Sequence, residues 1–269
     1  MATSARCERT NTIKVVELKK CYLCKLCLIV FGALLAVQSA WANDDLLEHR
    51  IEFPAGNGPF PTVVLLHTAG GFYDVTDNIG RYLKMGYAVA APDYFSAFDL
   101  SSSNRFKAFK ERRKDIEKAI AKFVKYVSKN PKVDTSRLYS IGFSAGGFYS
   151  ADLACERLVK AGVAHYGVWT FPGQRNDKFS DFGAKKYPTQ YFDKKCAPFY
   201  AFHGDKDTTQ RPKYVQKAFD YIGNTKNDFR VHWYEGAGHK YDVLAITPDS
   251  FGADALRRTD EFLKSIKNQ

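Results

Sequence analysis

The chain has 269 residues, which is enough for one large α/β domain or two small ones. Its 40 basic and 29 acidic residues give a formal net charge of +11. Because the basic excess is spread along the chain, a solvated basic surface accounts for it, and no nucleic-acid partner is expected.

The first 42 residues are predicted to be a signal peptide and not part of a fold. Six basic residues precede an apolar run at 26–37, and Ala40-Trp-Ala42 matches a small-x-small cleavage pattern. The apolar run is too short to span a bilayer comfortably. We therefore expect cleavage after Ala42, a periplasmic or secreted location, and no stable membrane association of the mature chain. An uncleaved anchor is the alternative, and the long leader leaves open a translation start downstream of Met1.

Two of the six cysteines, Cys155 and Cys196, lie in the mature chain. An even number of cysteines in an oxidising compartment allows a disulfide, and two buried free thiols are an equal alternative. The other four cysteines have spacings typical of metal ligands, but they precede the cleavage position and are discounted. They are Cys7, Cys21, Cys24 and Cys27.

The mature chain alternates predicted strands with predicted helices. The strands are 51–53, 62–67, 87–91, 138–141, 162–167, 198–203 and 229–234. The helices are 77–85, 109–128, 151–159, 212–222 and 250–266. The segments 94–106 and 170–197 are predicted to be irregular, the second as a loop over a pocket. This order predicts a single α/β domain over residues 43–269, a mostly parallel twisted sheet with helices on both faces and no large cap domain.

The strand 138–141 runs into Gly142-Phe-Ser-Ala-Gly146, a G-x-S-x-G pattern at a strand-to-helix turn. A nucleophile at the tip of such a turn is held in strained backbone, and flanking glycines remove collisions across the turn. Ser144 is therefore the candidate nucleophile. The same turn directs the Ala145 N–H to where an oxyanion would form. A glycine- and serine-rich loop without chemistry is the alternative.

A serine hydroxyl needs an imidazole to take its proton and an acid to orient that imidazole. In this architecture the acid and then the histidine follow the serine, each after a later strand. His239 alone of the six histidines combines this order with a glycine-lined loop after a strand, although a surface-loop histidine is the alternative. The acid is Asp205 or Asp207, between which spacing does not choose. His203 competes as the base, but it precedes both acids of its own loop.

The second oxyanion donor should come from the loop after the strand 62–67. The backbone N–H of Ala69 is the candidate, paired with that of Ala145. This chemistry needs no metal and no organic cofactor.

These motifs resemble the dienelactone hydrolase family of α/β-hydrolases over roughly residues 50–265. The resemblance lies in 63–67, 86–93, 142–146, 203–207 and 236–239. The family's Gly-x-x-Asp element falls on Gly204 to Asp207 and so implies Asp207 as the acid. The resemblance implies an α/β-hydrolase fold and a carboxylic-ester hydrolase acting on a small ester or lactone.

The chain departs from the family's name-giving enzymes at three places. Ser144 stands where they have a cysteine, Thr68 stands where they have a glutamate, and Lys240-Tyr-Asp-Val243 offers no arginine for a substrate carboxylate. These departures favour a general esterase over a dienelactone hydrolase in the narrow sense. The candidates to bind an anionic substrate are Arg105, Arg112 and Lys240.

Two other functions are alternatives, namely a peptidase or amidase of the same fold and an inactive secreted binding protein. The intact serine, aspartate and histidine argue against the second. The sequence leaves open whether the protein is a monomer or a dimer.

Overall fold

The computed structural model describes residues 46–169, 192–193, 195–225, 228–241 and 249–266. The predicted signal peptide, residues 1–42, lies outside these ranges. Most of the predicted loop at 170–197 lies outside them as well. The extent of the domain over residues 43–269 therefore stays a prediction.

Seven strands form one sheet within the described residues. They are β1 (His49–Glu52), β2 (Phe60–Leu66), β3 (Ala88–Pro92), β4 (Val133–Phe143), β5 (Ala161–His165), β6 (Phe199–Gly204) and β7 (Phe229–Tyr234). Their order in the sheet is β1-β3-β2-β4-β5-β6-β7. Only the edge strand β1 pairs antiparallel with its neighbour, and the other neighbouring pairs are parallel. The predicted mostly parallel sheet is confirmed.

Six α-helices lie in the described part of the chain. They are α1 (Thr76–Lys84), α2 (Lys107–Lys110), α3 (Arg113–Val127), α4 (Ala145–Cys155), α5 (Pro212–Thr225) and α6 (Phe251–Ser265). None of them combines the length and the apolar composition that a membrane crossing requires.

The helices cover both faces of the sheet, as predicted. Side chains of a strand alternate between its two faces, and β2 accordingly divides its apolar residues between two buried clusters. Val64 and Leu66 join the cluster that contains α3, α4 and α5 residues. Val63 and Leu65 join the cluster that contains α1 and α6 residues. The central strands are thus buried on both sides, which explains their continuous apolar runs.

Two predicted helices differ from the observed ones. The helix predicted at 109–128 is two helices, α2 and α3, that are separated at residues 111–112. The helix predicted at 151–159 begins six residues earlier, at Ala145. Glycines 146 and 147 lower the intrinsic helix propensity of its first turn, and packing against the sheet overrides that preference.

Candidate active site

The G-x-S-x-G turn joins β4 to α4 and has the strained geometry expected of it. Ser144 has φ 50° and ψ −109°, a conformation that costs free energy for a residue with a side chain. A Cβ on Gly142 would lie 2.0 Å from the Gly146 carbonyl oxygen, and one on Gly146 would lie 2.0 Å from the Leu66 oxygen. Glycines are therefore required at both positions. The Ser144 N–H donates to the His165 oxygen at 3.0 Å, which ties the turn to the end of β5.

Three of the predicted site residues form a continuous hydrogen-bonded chain. The Ser144 Oγ lies 3.0 Å from His239 Nε2. The His239 Nδ1 lies 2.7 Å from Asp207 Oδ2. Because an ionised carboxylate only accepts, Nδ1–H donates to Asp207 and leaves Nε2 free to accept from the serine hydroxyl. The geometry is that of a nucleophile, a base and an orienting acid.

Asp207 is held as an ionised acceptor. Its side chain is buried, and Oδ1 accepts from the N–H groups of Thr209 at 2.7 Å and Gln210 at 2.8 Å. Burial acts to raise the pKa of Asp207, but the hydrogen bond and charge of His239, together with the Gln210 N–H and His203, lower it below its usual value. The carboxylate is thus fixed in position and charge where it can hold the imidazole.

The other two candidates, His203 at the end of β6 and Asp205 just after it, contact other parts of the site. Asp205 Oδ1 accepts from the Gly236 N–H at 2.7 Å and so holds the loop that carries His239. His203 is buried, donates from Nε2 to the Gln210 oxygen at 2.8 Å, and has that nitrogen 3.3 Å from Asp207 Oδ2. The choice between Asp205 and Asp207 that spacing left open is thus decided geometrically, since it is Asp207 that contacts His239.

His239 lies in the loop of residues 235–241, which we call the histidine loop. Residues at the ends of several strands hold this loop in place. The Tyr166 ring meets the His239 ring edge-to-face with centroids 4.9 Å apart. Tyr166 follows β5 directly and has φ 40°, a strained conformation for a tyrosine. The Tyr241 hydroxyl lies 3.2 Å from His165 Nδ1, which anchors the far end of the loop to β5.

The two predicted oxyanion donors follow the ends of two neighbouring strands, β2 and β4. Ala145 is the first residue of α4, so its N–H has no acceptor within the helix. Ala69 lies in the loop after β2, which we call the oxyanion loop (residues 67–75). The paired residues Leu66 and Gly142 put the ends of β2 and β4 side by side. Both N–H groups therefore belong to the same edge of the sheet as Ser144.

The peptide unit between Thr68 and Ala69 is fixed through its carbonyl. His67 Nδ1 donates to the Thr68 oxygen at 2.7 Å, and the Gly71 N–H donates to the same oxygen at 3.1 Å. Because the peptide is planar and trans, holding the C=O also fixes the direction of the Ala69 N–H. His67 is itself immobilised, since it is fully buried and stacks on Tyr94 with centroids 3.9 Å apart.

The candidate substrate-binding cations have different surroundings. The Arg105 guanidinium donates to the Ser102 oxygen at 2.5 Å and lies 4.9 Å from the Phe106 ring centroid. Arg112 lies 3.6 Å from Asp115 on the surface. Lys240 follows His239 directly, and its Nζ donates to Asp74 Oδ2 at 2.8 Å. A role of these residues in substrate binding stays a prediction.

Of the two alternatives for the mature cysteines, the structure has the disulfide. Cys155 ends α4, Cys196 lies just before β6, and their Cα atoms are 4.0 Å apart. The bond ties the helix that follows Ser144 to the strand that leads to Asp207.

Sequence reasoning missed the residues that position the site. Tyr166 and Asp74 belong to no motif, and the motif 63–67 assigns no role to His67. Their contacts join parts of the chain whose separation in sequence does not predict that they meet. Asp74 and Lys240 are 166 positions apart. The one feature of the sequence that could have indicated His67 and Tyr166 is their position. Each directly follows a β-strand, at the edge of the sheet where catalytic groups collect.

Comparison with known proteins is consistent with this geometry. The chain matches the dienelactone hydrolase family over residues 47–266. It is 31% identical over 138 residues to the "Putative carboxymethylenebutenolidase" of Methylorubrum extorquens. That match covers 46% of this chain and 46% of the relative, so it spans just under half of the relative's length.

Solved structures of the same fold include a "Putative Dienelactone Hydrolase" from Klebsiella pneumoniae, with a TM-score of 0.66 and 20% identity. That match covers 81% of this chain and 93% of the other. The native thermophilic esterase Est2 of Thermogutta terrifontis has a TM-score of 0.65 and 17% identity, over 84% of this chain and 89% of the other. At these identities the likeness shows the fold, an α/β-hydrolase fold.

Proposed function

Because the chain belongs to the dienelactone hydrolase family, we propose that it hydrolyses a small ester or lactone through an acyl-enzyme on Ser144. The observation that carries the proposal is the chain of two hydrogen bonds from Ser144 through His239 to Asp207, 3.0 and 2.7 Å long. The name of the Methylorubrum relative, a carboxymethylenebutenolidase, supports a lactone or ester as the substrate.

The first half of the reaction forms the acyl-enzyme. Ser144 Oγ attacks the carbonyl carbon while its proton passes to His239 Nε2. Asp207 keeps the imidazole in the correct tautomer and stabilises the imidazolium. The N–H groups of Ala69 and Ala145 stabilise the oxyanion of the tetrahedral intermediate, which collapses to expel the alcohol with the proton from Nε2.

The second half releases the acid. Water attacks the acyl carbon and gives its proton to His239 Nε2, and the Ser144 oxygen leaves with that proton. The cycle returns every group to its starting state, so the residues of this chain suffice for the proton transfers.

Replacing the nucleophile tests the proposal. Ser144→Ala should lower kcat/KM for a p-nitrophenyl ester by roughly 10³-fold or more. Ser128→Ala is the matched control, because that hydroxyl donates to the Lys125 oxygen on the surface after α3. The control should keep wild-type turnover. Near wild-type turnover by Ser144→Ala would remove Ser144 from the mechanism.

We also propose that the mature protein works in the periplasm or outside the cell. The signal-peptide pattern over residues 1–42 and the disulfide between Cys155 and Cys196 support an oxidising compartment. The amino-terminal sequence of the protein recovered from the periplasm or medium should begin at Asn43. Recovery of the uncleaved chain from the cytoplasm would contradict the proposal.

A further inference from the structure

An ion pair joins the histidine loop to the oxyanion loop. Lys240 Nζ in the histidine loop donates to Asp74 Oδ2 in the oxyanion loop at 2.8 Å. The two loops follow β7 and β2, and three strands lie between these two in the sheet. The pair therefore joins two segments that the sheet itself keeps apart.

The ion pair continues into the turn that contains Ala69. Asp74 Oδ2 also accepts a hydrogen bond from the Thr68 hydroxyl, and that hydroxyl oxygen accepts from the Gly70 N–H at 2.9 Å. A Cβ on Gly70 would lie 2.2 Å from the Asp74 carboxylate, so only a glycine leaves room for the carboxylate there. Thr68 and Gly70 flank Ala69, whose N–H is the proposed oxyanion donor.

The other end of the pair is next to the proposed base. Lys240 directly follows His239 and has φ 60°, in the left-handed region that is costly for a lysine. Two contacts hold this conformation. The Lys240 side chain is bound to Asp74, and the next residue, Tyr241, is bound to His165. Because Lys240 directly follows His239, the backbone conformation at Lys240 also affects where the His239 side chain is placed.

The environment favours a positioning role over a stabilising one. The side chains of Lys240 and Asp74 are 41% and 24% exposed, and ion pairs at such exposure contribute little to global stability. Burial acts to raise the pKa of Asp74, but the hydrogen bonds from Lys240 and Thr68 and the Lys240 charge lower it. Asp74 thus stays ionised and keeps its two partners, and the pair acts on local geometry.

We infer that Lys240 and Asp74 are a positioning pair that holds the oxyanion donor Ala69 and the base His239 at a fixed separation. The inference rests on the proposed function, because it assigns the two residues to the same reaction. It also gives the Lys240 ammonium a partner within the protein, with which a substrate carboxylate would have to share the ammonium group.

Single substitutions of either partner test the inference on a neutral ester. Lys240→Met and Asp74→Asn should each lower kcat by about 10- to 100-fold, since a displacement of about 1 Å can cost that much. The KM should stay within about threefold of wild type. The double variant should be no worse than the worse single one, because both remove the same contact. Lys240→Arg can still bind Asp74 and should restore most of the rate.

Lys264→Met is the matched control, because Lys264 forms a 2.7 Å ion pair with Asp260 on α6. It should keep wild-type kcat. Urea midpoints of all variants should lie within about 0.5 M of wild type, as expected for half-exposed pairs. If Lys240→Met does not fold, Asp74→Asn and Lys240→Arg carry the same comparison.

Three results would overturn the inference. The first is a wild-type kcat in both single variants. The second is a loss of kcat in the double variant that equals the two single losses combined. The third is an effect of Lys240→Met that is confined to the KM of a negatively charged ester. The last would assign Lys240 to substrate binding. All three presuppose that wild-type turnover depends on Ser144, so they are distinct from a failure of the proposed function, in which Ser144→Ala remains active.

Discussion

The serine turn and the histidine loop meet at one hydrogen bond, yet they are built in different ways. The turn is a local structure, in which Gly142 and Gly146 permit the close approach that lifts Ser144. The histidine loop depends on distant partners, because Asp207, His165 and Asp74 come from three other parts of the sheet edge. The position of the nucleophile therefore depends on five consecutive residues and on the two strands beside them, β2 and β5. The position of the base depends on loops from several parts of the sheet edge.

The largest loss of activity that distinguishes the serine turn from the histidine loop is expected on substitution of Asp207. Asp207→Asn leaves the serine turn intact but removes the charge that fixes the His239 tautomer, so kcat should fall by roughly 10³- to 10⁴-fold. The matched control is Asp205→Asn. Asp205 accepts from the Gly236 N–H and does not contact the imidazole, so its loss should cost about tenfold or less.

Kinetics of the two variants on one p-nitrophenyl ester check this expectation. Equal losses in both would mean that the acid acts by holding the loop and not by orienting the imidazole.

The next effect concerns the serine turn. Gly146→Ala puts a methyl group 2.0 Å from the Leu66 backbone oxygen, so the turn and the end of β2 must separate. We expect a loss of about 3 kcal/mol or more in the free energy of unfolding, together with a loss of activity. Gly80→Ala is the control, because the added methyl group on α1 has no atom within 4 Å apart from its chain neighbours and the backbone of its own helix.

The control should stabilise the protein by about 0.5–1 kcal/mol. Urea unfolding measures both values. A Gly146→Ala variant as stable and active as wild type would contradict the close approach at the turn.

The smallest expected effect, about 1.4 kcal/mol for each pH unit, concerns His165, which contacts Tyr241 of the histidine loop. Burial lowers the pKa of His165 to about 3 from an ordinary value of 6.5. Between these values the unfolded chain binds a proton that the folded protein does not. The stability that neutral His165 contributes is therefore fully present above about pH 6.5. Below that pH, the free energy of unfolding falls by roughly 1.4 kcal/mol per pH unit.

The variant His165→Gln cannot take up this proton. Its stability should fall less steeply than that of wild type between pH 6 and 4, although His165→Gln is less stable at neutral pH because it loses the ring stacking on Phe143 and Phe202. Urea midpoints at a series of pH values measure the two slopes. Parallel slopes would mean that His165 is not the group that takes up the proton.

The fold could be predicted because it follows from local patterns. The continuous apolar run at 62–67 indicates a strand buried on both faces, and the alternation of strands with amphipathic helices indicates a parallel sheet. The first turn of α4 was missed because its glycines are poor helix formers. Tertiary contacts explain them, since Gly146 lies against Leu66 in β2 and Gly147 lies against Gly167 and Ala164.

The candidate site could be predicted only in part. The order Ser144, Asp207, His239 is a property of the chain, and the structure brings these three side chains together. The pairing of Lys240 with Asp74 and the packing of Tyr166 on His239 could not be predicted, because they depend on how the sheet edge brings separate loops together. Family resemblance does not supply them either, since this chain departs from the name-giving enzymes at Thr68 and after His239.

The account depends most on a nucleophilic Ser144 oxygen, and covalent trapping measures that property directly. A fluorophosphonate probe should add one phosphonyl group to the wild-type protein, and peptide mass spectrometry should locate the adduct on Ser144. The rate of labelling should fall strongly in Asp207→Asn, and Ser144→Ala should not be labelled. A wild-type protein that remains unlabelled, or that carries the adduct on another residue, would contradict the account.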